Sequence, residues 1–361
     1  MQVAGAEVLV RETVRRLKGR IAPTVFCLDA VGRLGEELIA EGVDLVCFGR
    51  KPGRDFGVSR RMARAVRERR IEVIHAHQYT PFFYSALAKV LCGFGPKVIL
   101  TEHGRHYPDR VSPVRRGLNR LVFDRLADAV NACSHFSAEG LVKIDGFAGA
   151  RVGVIENGIE VDRYGPPADK ALAKADVGLN PHRRHLVHVA RHHPVKDQVT
   201  LVRGFARAAP HLPDVDLVMA GDGPLRDELE ALARELKVHE RVHFLGIRTD
   251  VPELMRAADA FALTSLSEAA SLTLLEAMAS ALPVIATNVG GNPELARHER
   301  EGLLFPRRDA EGCARAIRRV FEDAQLAARL GAAGRARAEE RYRLERTVTE
   351  YYELYRRLAG R

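Results

Sequence analysis

The chain has 361 residues, of which 46% are hydrophobic and 29% charged, as is usual for a folded protein of two ordinary domains. It contains no run of about 18 uncharged apolar residues, which excludes a membrane-spanning helix. With no Trp and 6% aromatic residues, it also lacks the basic and aromatic interleaving typical of a nucleic-acid surface, so no nucleic-acid partner is expected.

The net charge of +9 is unevenly spread, since residues 1–165 hold 26 lysines and arginines against 19 acids, or +7. This excess indicates either an anionic partner of the N-terminal half or simple solubility. The five cysteines are scattered and lack metal or redox spacing, and no secretory leader is recognisable at the start. We therefore expect a cytoplasmic protein with reduced cysteines.

Short apolar runs alternate with longer amphipathic stretches along nearly the whole chain. The predicted strands of the first half are Thr24–Leu28, Asp44–Phe48, Glu72–His75, Lys97–Thr101, Ala129–Cys133 and Arg151–Ile155. Those of the second half are His185–Ala190, Asp216–Ala220, Arg241–Leu245, Ala260–Leu263, Pro283–Ala286 and Gly302–Phe305. Such alternation predicts an α/β protein with parallel sheets covered on both faces, in two Rossmann-like domains.

A segment rich in Pro, Gly and charge, from Tyr164 to Arg184, separates the two series and marks the predicted domain boundary. From about Ala338 to Leu358 the pattern predicts one long amphipathic helix. Two Rossmann-like domains predict a ligand cleft between them, where residues that follow the strands carry the chemistry.

The cations Arg191 and Lys196 follow a strand and precede a helix, an arrangement that suits a diphosphate. Two solvated surface charges are the alternative. The turns Gly221-Asp-Gly223 and Gly290-Gly291 also follow strands, where glycine allows a close backbone approach, but such turns are common in α/β proteins.

The strongest element runs from Ser265 to Glu276, with a helix predicted to begin near Ser271. Glu276, among apolar neighbours, is placed to accept ribose hydroxyls, and Glu268 in the preceding loop is placed to bind a sugar. The N–H groups of Ala270, Ser271, Leu272 and Thr273 are placed to meet a diphosphate. A capped helix with one solvated glutamate is the competing interpretation.

In the N-terminal half, His103 follows a strand and could hydrogen-bond a sugar hydroxyl. His75 and His77 follow the neighbouring strand, and we expect packing and hydrogen bonding from them rather than metal binding. The segment from Ser112 to Leu126 combines a basic stripe with an apolar stripe. We expect it to pack its apolar face on the sheet and leave its arginines in water, and the alternative is that it rests on an anionic membrane.

In their joint order, these motifs resemble the retaining, GT-B-fold nucleotide-sugar glycosyltransferases of glycosyltransferase family 4 (glycosyl transferases group 1). The resemblance spans nearly the whole chain and rests on the motifs Gly5-Ala-Glu7, Ile74-His75-Ala-His77, His103, Val154-Ile-Glu-Asn157-Gly158-Ile159, Arg191 with Lys196, Gly221-Asp-Gly223, the Glu268 to Glu276 run, Gly290-Gly291 with Glu294, and Gly302-Leu-Leu-Phe-Pro. It implies an N-terminal acceptor domain, 1–165, completed by a C-terminal helix at about 342–361, and a donor domain, 166–341.

The resemblance also implies site roles. Arg191 and Lys196 would bind the donor diphosphate, Glu276 the ribose, and Glu268 and His103 the sugar, so His103, Arg191, Lys196 and Glu268 form the implied catalytic set. The implied donor-binding residues are Gly5, Gly221, Gly246, Ile247, Ala270, Ser271, Leu272, Thr273 and Glu276. Transfer would retain the anomeric configuration and need no metal or other cofactor, because the two cations stabilise the leaving diphosphate.

The implied reaction moves a sugar from a nucleoside diphosphate sugar to a glycan or lipid-linked acceptor, in the synthesis of cell-surface polysaccharide, lipopolysaccharide or glycolipid. The enzyme would be cytoplasmic or peripheral on the inner face of the membrane. The alternatives are a GT-B phosphorylase or epimerase, which the Glu268 to Glu276 run disfavours, and a degenerate, non-catalytic binding protein.

One departure from the family concerns the start of the chain. The strand that normally precedes the glycine loop is missing, and Ala4 replaces the first glycine of the usual pair. Because loss of a central strand would expose its neighbours' hydrogen-bonding edges, we expect the natural start to lie upstream, and a defective product is the alternative.

Overall fold

Parallel β-sheets dominate the computed structural model, which describes residues 5–104 and 109–361. The strands are β1 (Thr24–Cys27), β2 (Asp44–Cys47), β3 (Val73–His77), β4 (Lys97–Glu102), β5 (Ala129–Ala132), β6 (Val152–Val154), β7 (Arg184–Val189), β8 (Val215–Ala220), β9 (Val242–Gly246), β10 (Ala260–Leu263), β11 (Val284–Thr287) and β12 (Gly302–Phe305). Each coincides with a predicted strand to within two residues at either end, so the α/β prediction is confirmed.

Helices connect these strands. They are α1 (Gly5–Leu17), α2 (Gly32–Ala40), α3 (Phe56–Glu68), α4 (Tyr79–Leu91), α5 (Pro113–Leu118), α6 (Asp124–Leu126), α7 (His135–Gly140), α8 (Lys170–Asp176), α9 (Gln198–Ala208), α10 (Arg226–Glu235), α11 (Val251–Ala257), α12 (Leu272–Ala279), α13 (Asn292–Leu295), α14 (Ala310–Glu322), α15 (Ala324–Arg341) and α16 (Leu344–Leu358). A π-helical turn, Asn119–Phe123, joins α5 to α6. Across the described ranges, no helix is both long and apolar enough to cross a membrane.

The chain divides into two compact units, one holding the described residues up to Asn157 with Glu345–Arg361, and the other Gly158–Leu344. These boundaries fall eight residues before the predicted one at 165 and three after the predicted one at 341. Each unit has its own parallel sheet system and core.

The sheet of the first unit is in two parts, β1-β2 and β3-β4-β5-β6. The prediction of a missing first strand concerns the chain before Gly5, which lies outside the described residues, and within them β1 and β3 each pair on one side only. Helix α16 belongs to this unit, where Tyr351 and Leu354 pack against Ile99 and Ile155.

The sheet of the second unit has the order β12-β11-β10-β7-β8-β9. Leu186 and Leu217 point into one apolar core, and their neighbours Val187 and Val218 point into another, so both faces are covered. From β7 the chain runs outward to β8 and β9, then crosses over to β10, β11 and β12. The order therefore reverses between β7 and β10, which is where such sheets bind ligands.

The prediction of one helix from about Ala338 to Leu358 is wrong, because α15 ends at Arg341 and α16 begins at Leu344. Ile159 donates its N–H to the Tyr342 carbonyl and accepts one from Leu344, both at 2.9 Å. This parallel bridge between Ile159 and Arg343 requires extended backbone, which interrupts the helix. The helix is interrupted by Ile159, which lies 183 positions before Tyr342, so the local amphipathic periodicity could not predict the break.

Candidate functional site

Two loops meet at the point where the second sheet reverses. The loop after β7 carries Lys196, and the loop after β10 carries Glu268. The Lys196 ammonium lies 2.6 Å from Oε1 of Glu268. Leu266 donates its N–H to the Val195 carbonyl at 2.7 Å, and the Thr264 hydroxyl donates to the Lys196 carbonyl at 3.1 Å. Backbone bonding thus fixes the two charged side chains relative to each other.

Glu268 is held from several sides, and its side chain is only 10% exposed. The Ser265 hydroxyl donates to Oε1 at 2.6 Å, and Gly291 donates its N–H to the Glu268 carbonyl at 2.9 Å. Gly290 has φ +54°, and a Cβ there would lie 1.9 Å from that carbonyl oxygen. The glycine pair after β11 therefore permits the β10 loop to close on it. Sequence reasoning missed the role of Ser265, although it lies only three residues before Glu268.

Arg191, also in the β7 loop, has an exposed side chain and a fixed backbone. Its carbonyl accepts a 2.9 Å hydrogen bond from the amide of Gln198, which is fully buried. Within the described ranges no carboxylate forms an ion pair with its guanidinium. Arg191 is thus a positioned cation available to an anionic ligand at the same strand end as Lys196.

The glycines after β8 are explained by contacts between loops. Gly221 has φ +131°, and a Cβ there would lie 2.0 Å from the Ala190 carbonyl oxygen. Gly221 also donates its N–H to the Gly246 carbonyl at 2.7 Å. The structure therefore brings predicted donor residues Gly221 and Gly246 together, beside the β7 loop. The next residue, Ile247, exposes 79% of its surface.

Helix α12 begins at Leu272, close to the predicted start. Its N-cap is Ser271, whose hydroxyl accepts the N–H of Leu274 at 3.3 Å. The N–H groups of Leu272 and Thr273, in the first turn, have no partner within the helix and are available at its positive end. With Ala270 just before the cap, all four residues of the predicted anion-binding segment lie at this helix start.

Glu276 lies one turn further along α12, with the Tyr164 side chain beside its carboxylate. Burial raises the pKa of Glu276 to about 7, and the neighbouring Tyr164 hydroxyl acts in the opposite direction. Tyr164 is a residue that sequence reasoning placed only in the domain boundary. Because Tyr164 lies 112 positions before Glu276, no local sequence pattern predicts that the two residues are neighbours.

His103 lies in the first unit, at the end of β4, with His77. Nδ1 of His77 is 2.8 Å from Nε2 of His103, while His75 contacts the Tyr355 hydroxyl at 2.6 Å and that of Thr101 at 2.7 Å. Burial lowers the pKa of His103 to about 4, so the ring is neutral at pH 7. The predicted hydrogen-bonding roles of His75 and His77 are confirmed.

The remaining predicted donor residue, Gly5, is the first residue of α1 in the first unit. The sequence pattern predicted His103 and Gly5 as site residues together with residues of the second unit. Within the second unit, Lys196 and Glu268 contact each other, and Arg191 lies in the same loop as Lys196. In the part of the chain that the structure describes, no three His, Cys, Asp or Glu side chains are grouped so as to hold a metal ion.

Comparison with known proteins identifies the family of this chain. Residues 3–163 match the family described as Glycosyltransferase Family 4, and residues 169–337 match Glycosyl transferases group 1. The N-acetyl-alpha-D-glucosaminyl L-malate synthase of Bacillus anthracis is 30% identical over 309 residues, which cover 84% of this chain and 79% of that protein.

Two further similarities agree with this. The GDP-mannose-dependent alpha-(1-6)-phosphatidylinositol monomannoside mannosyltransferase of Mycobacterium tuberculosis is 30% identical over 285 residues, 76% of this chain and 73% of that one. The crystal structure of Anabaena Alr3699/HepE in complex with UDP and glucose superposes with a TM-score of 0.85 at 24% identity, covering 97% and 95% of the two chains, which shows the same fold. The chain therefore belongs to glycosyltransferase family 4, of the glycosyl transferases group 1 type, and is a glycosyltransferase with the GT-B fold.

Proposed function

We propose that this enzyme transfers a sugar from a nucleoside diphosphate sugar to an acceptor hydroxyl, with retention of configuration and without a metal ion. The observation that carries the proposal is the position of Arg191 and Lys196. Both cations follow β7 at the switch point of the second sheet, where ligands of such sheets bind.

The diphosphate would lie against these cations and the N–H groups of residues 270–273. As the glycosidic bond breaks, the leaving diphosphate gains negative charge, and positioned cations stabilise it in the role that a divalent ion plays elsewhere. The acceptor hydroxyl would attack the same face and lose its proton to the departing phosphate oxygen.

The nucleoside would lie between Glu276 and the Gly246-Ile247 turn. The Glu276 carboxylate is suited to accept ribose hydroxyls, and the exposed Ile247 side chain offers apolar surface to a base. Gly221 and Gly5 complete the proposed donor-binding set. The complex of the Anabaena neighbour with UDP and glucose supports a nucleotide-sugar donor.

The donor sugar would contact Glu268, and the family resemblance implies a sugar-binding role for His103. Lys196 neutralises the Glu268 carboxylate at 2.6 Å, so Glu268 can accept sugar hydroxyls without repelling the diphosphate. The buried His103 ring, neutral at pH 7, is suited to hydrogen-bond a hydroxyl rather than to shuttle a proton. Neither residue need form a covalent bond to the sugar.

A glycan or lipid-linked acceptor is the second part of the proposal. The Mycobacterium relative is named for a phosphatidylinositol mannoside, which supports a role in glycolipid or cell-surface polysaccharide synthesis. Such an acceptor would bring the enzyme to the inner face of the cytoplasmic membrane.

A donor screen tests the proposal. The protein is incubated with UDP-, GDP- and ADP-sugars, with and without EDTA, and release of the nucleoside diphosphate is measured. Release with one donor class, unaffected by EDTA, is expected. No release with any donor would favour the non-catalytic alternative, and abolition by EDTA would overturn the metal-free mechanism.

A further inference from the structure

An apolar stripe on the segment after β4 faces outward. Val114, Leu118, Leu121 and Val122 are 73%, 48%, 62% and 43% exposed. Their spacing of i, i+4, i+7 and i+8 is that of one helix face. These four residues, called the outer stripe below, contradict the expectation that this segment would pack its apolar face on the sheet.

The stripe cannot turn inward, because other residues anchor the opposite side of the segment. Phe123 is buried in the first unit's core, and Asn119 is fully buried. The Asn119 side chain accepts the Tyr79 hydroxyl at 2.7 Å and donates to the Asp145 carbonyl at 2.9 Å. Rotating the segment would break these buried bonds, so the outer stripe stays exposed.

Three arginines of the same segment accompany the stripe. Arg116, Arg120 and Arg125 are exposed, and within residues 5–104 and 109–361 none of them forms an ion pair with a carboxylate. The fourth arginine, Arg115, differs, since it pairs with Asp145 at 2.9 Å and stacks on Tyr79. The surface therefore combines exposed apolar side chains with uncompensated positive charge.

We propose that this surface, formed by the outer stripe with Arg116, Arg120 and Arg125, docks on an anionic lipid membrane. Exposed aliphatic side chains flanked by arginines match the interface of a bilayer, where apolar groups enter the acyl boundary and cations meet lipid phosphates. The acidic residue of the segment, Asp124, forms an ion pair with Arg151, so it does not neutralise the three arginines. The excess of +7 over residues 1–165 favours the same partner.

The test is cosedimentation of the full chain with vesicles, without donor or acceptor, so its outcome is independent of the proposed transferase chemistry. Phosphatidylcholine vesicles are compared with vesicles that contain a substantial fraction of phosphatidylglycerol. Binding to the anionic vesicles should exceed binding to neutral ones several-fold and fall with added salt. No binding to anionic vesicles, or equal binding to both, would overturn the proposal.

Variants assign the binding to this surface. Leu118→Asn with Leu121→Asn should reduce vesicle binding at least several-fold at unchanged net charge. Arg116→Gln and Arg120→Gln should each reduce it about fivefold. The matched controls Leu91→Asn and Arg318→Gln, also at exposed positions, should leave binding unchanged.

Thermal unfolding separates loss of docking from loss of folding. The docking variants should retain the melting temperature of the parent and its nucleoside diphosphate release, because none of them touches the donor site. If a folded double leucine variant binds anionic vesicles as the parent does, the outer stripe is not the docking surface.

Discussion

Lys196 and Glu268 form an ion pair with a 2.6 Å N–O distance, although they are 72 positions apart in the chain. The pair joins the loops after β7 and β10, the two strands between which the sheet order reverses. Glu268 would repel a diphosphate if it stood alone, and Lys196 removes that repulsion while remaining a cation at the site. The two residues should therefore act as one unit.

A double-mutant cycle tests this coupling. Lys196→Ala should lower kcat about 10²- to 10³-fold, because it removes a charge that stabilises the leaving group. Glu268→Ala should also lower kcat, and the double variant should lose little more than Lys196→Ala alone, since each single change already breaks the unit. Losses that simply multiply would show that the two side chains act independently.

Arg191 should contribute to turnover without contributing to stability. Its side chain is exposed and has no ion-pair partner within the described ranges, so Arg191→Ala should leave the melting temperature unchanged. We expect kcat to fall about 10²-fold. Arg318→Ala, which removes an exposed arginine paired with Glu322, serves as the matched control and should retain full activity. Equal activity in the two variants would contradict the phosphate-binding role.

Glu276 should make folding stability depend on pH. Its pKa is about 7 in the folded protein and near 4.5 ordinarily, so the folded state holds this proton more tightly than the unfolded state. The contribution to stability is therefore present in full below pH 4.5 and is lost as pH rises through 7. Glu276→Gln should lessen the fall in unfolding free energy between pH 5 and pH 8, by on the order of 3 kcal/mol.

Urea unfolding at the two pH values measures this difference. The control is Glu311→Gln, at an exposed position in α14, and its unfolding free energy should fall with pH as that of the parent does. If the unfolding free energy of Glu276→Gln falls with pH as much as that of the parent, the pKa of Glu276 is not raised in the folded protein.

Gly290 should be required for the geometry of the β10 loop. In Gly290→Ala, the new Cβ would collide with the Glu268 carbonyl oxygen and would also carry a strained positive φ. We expect a lower melting temperature and a marked loss of kcat, because the loop must shift. The control Gly117→Ala, in helix α5, has no atom within 4 Å of its Cβ and should leave kcat unchanged without lowering the melting temperature. A fully active Gly290→Ala enzyme would show that the close approach is dispensable.

The strands were predictable from the sequence because their signal is local. Ala260–Leu263 and Gly302–Phe305 are short apolar runs bounded by polar turns, and both are strands with these bounds in the structure. Residues after strands were predictable as site candidates for the same reason. The sheet topology then brings Lys196 and Glu268 together at the carboxyl ends of the adjacent strands β7 and β10.

Features that depend on distant partners were not predictable. Tyr164 reaches Glu276, and Ile159 interrupts the last helical segment, through contacts spanning more than a hundred positions. The exposure of Leu121 was missed for a related reason. Periodicity shows that a helix is amphipathic, but which face is covered depends on the buried contacts of Asn119 and Phe123.

The most direct test of the account is hydrogen exchange, followed by mass spectrometry, with and without the nucleoside diphosphate that the donor screen identifies. Binding at the switch point of the second sheet should slow amide exchange in peptides covering residues 191–196 and 270–276. Helix α14, which contributes no residue to the proposed donor site, should exchange at the same rate in both states. Unchanged exchange in both of the first two segments, at saturating ligand, would contradict the placement of the donor site.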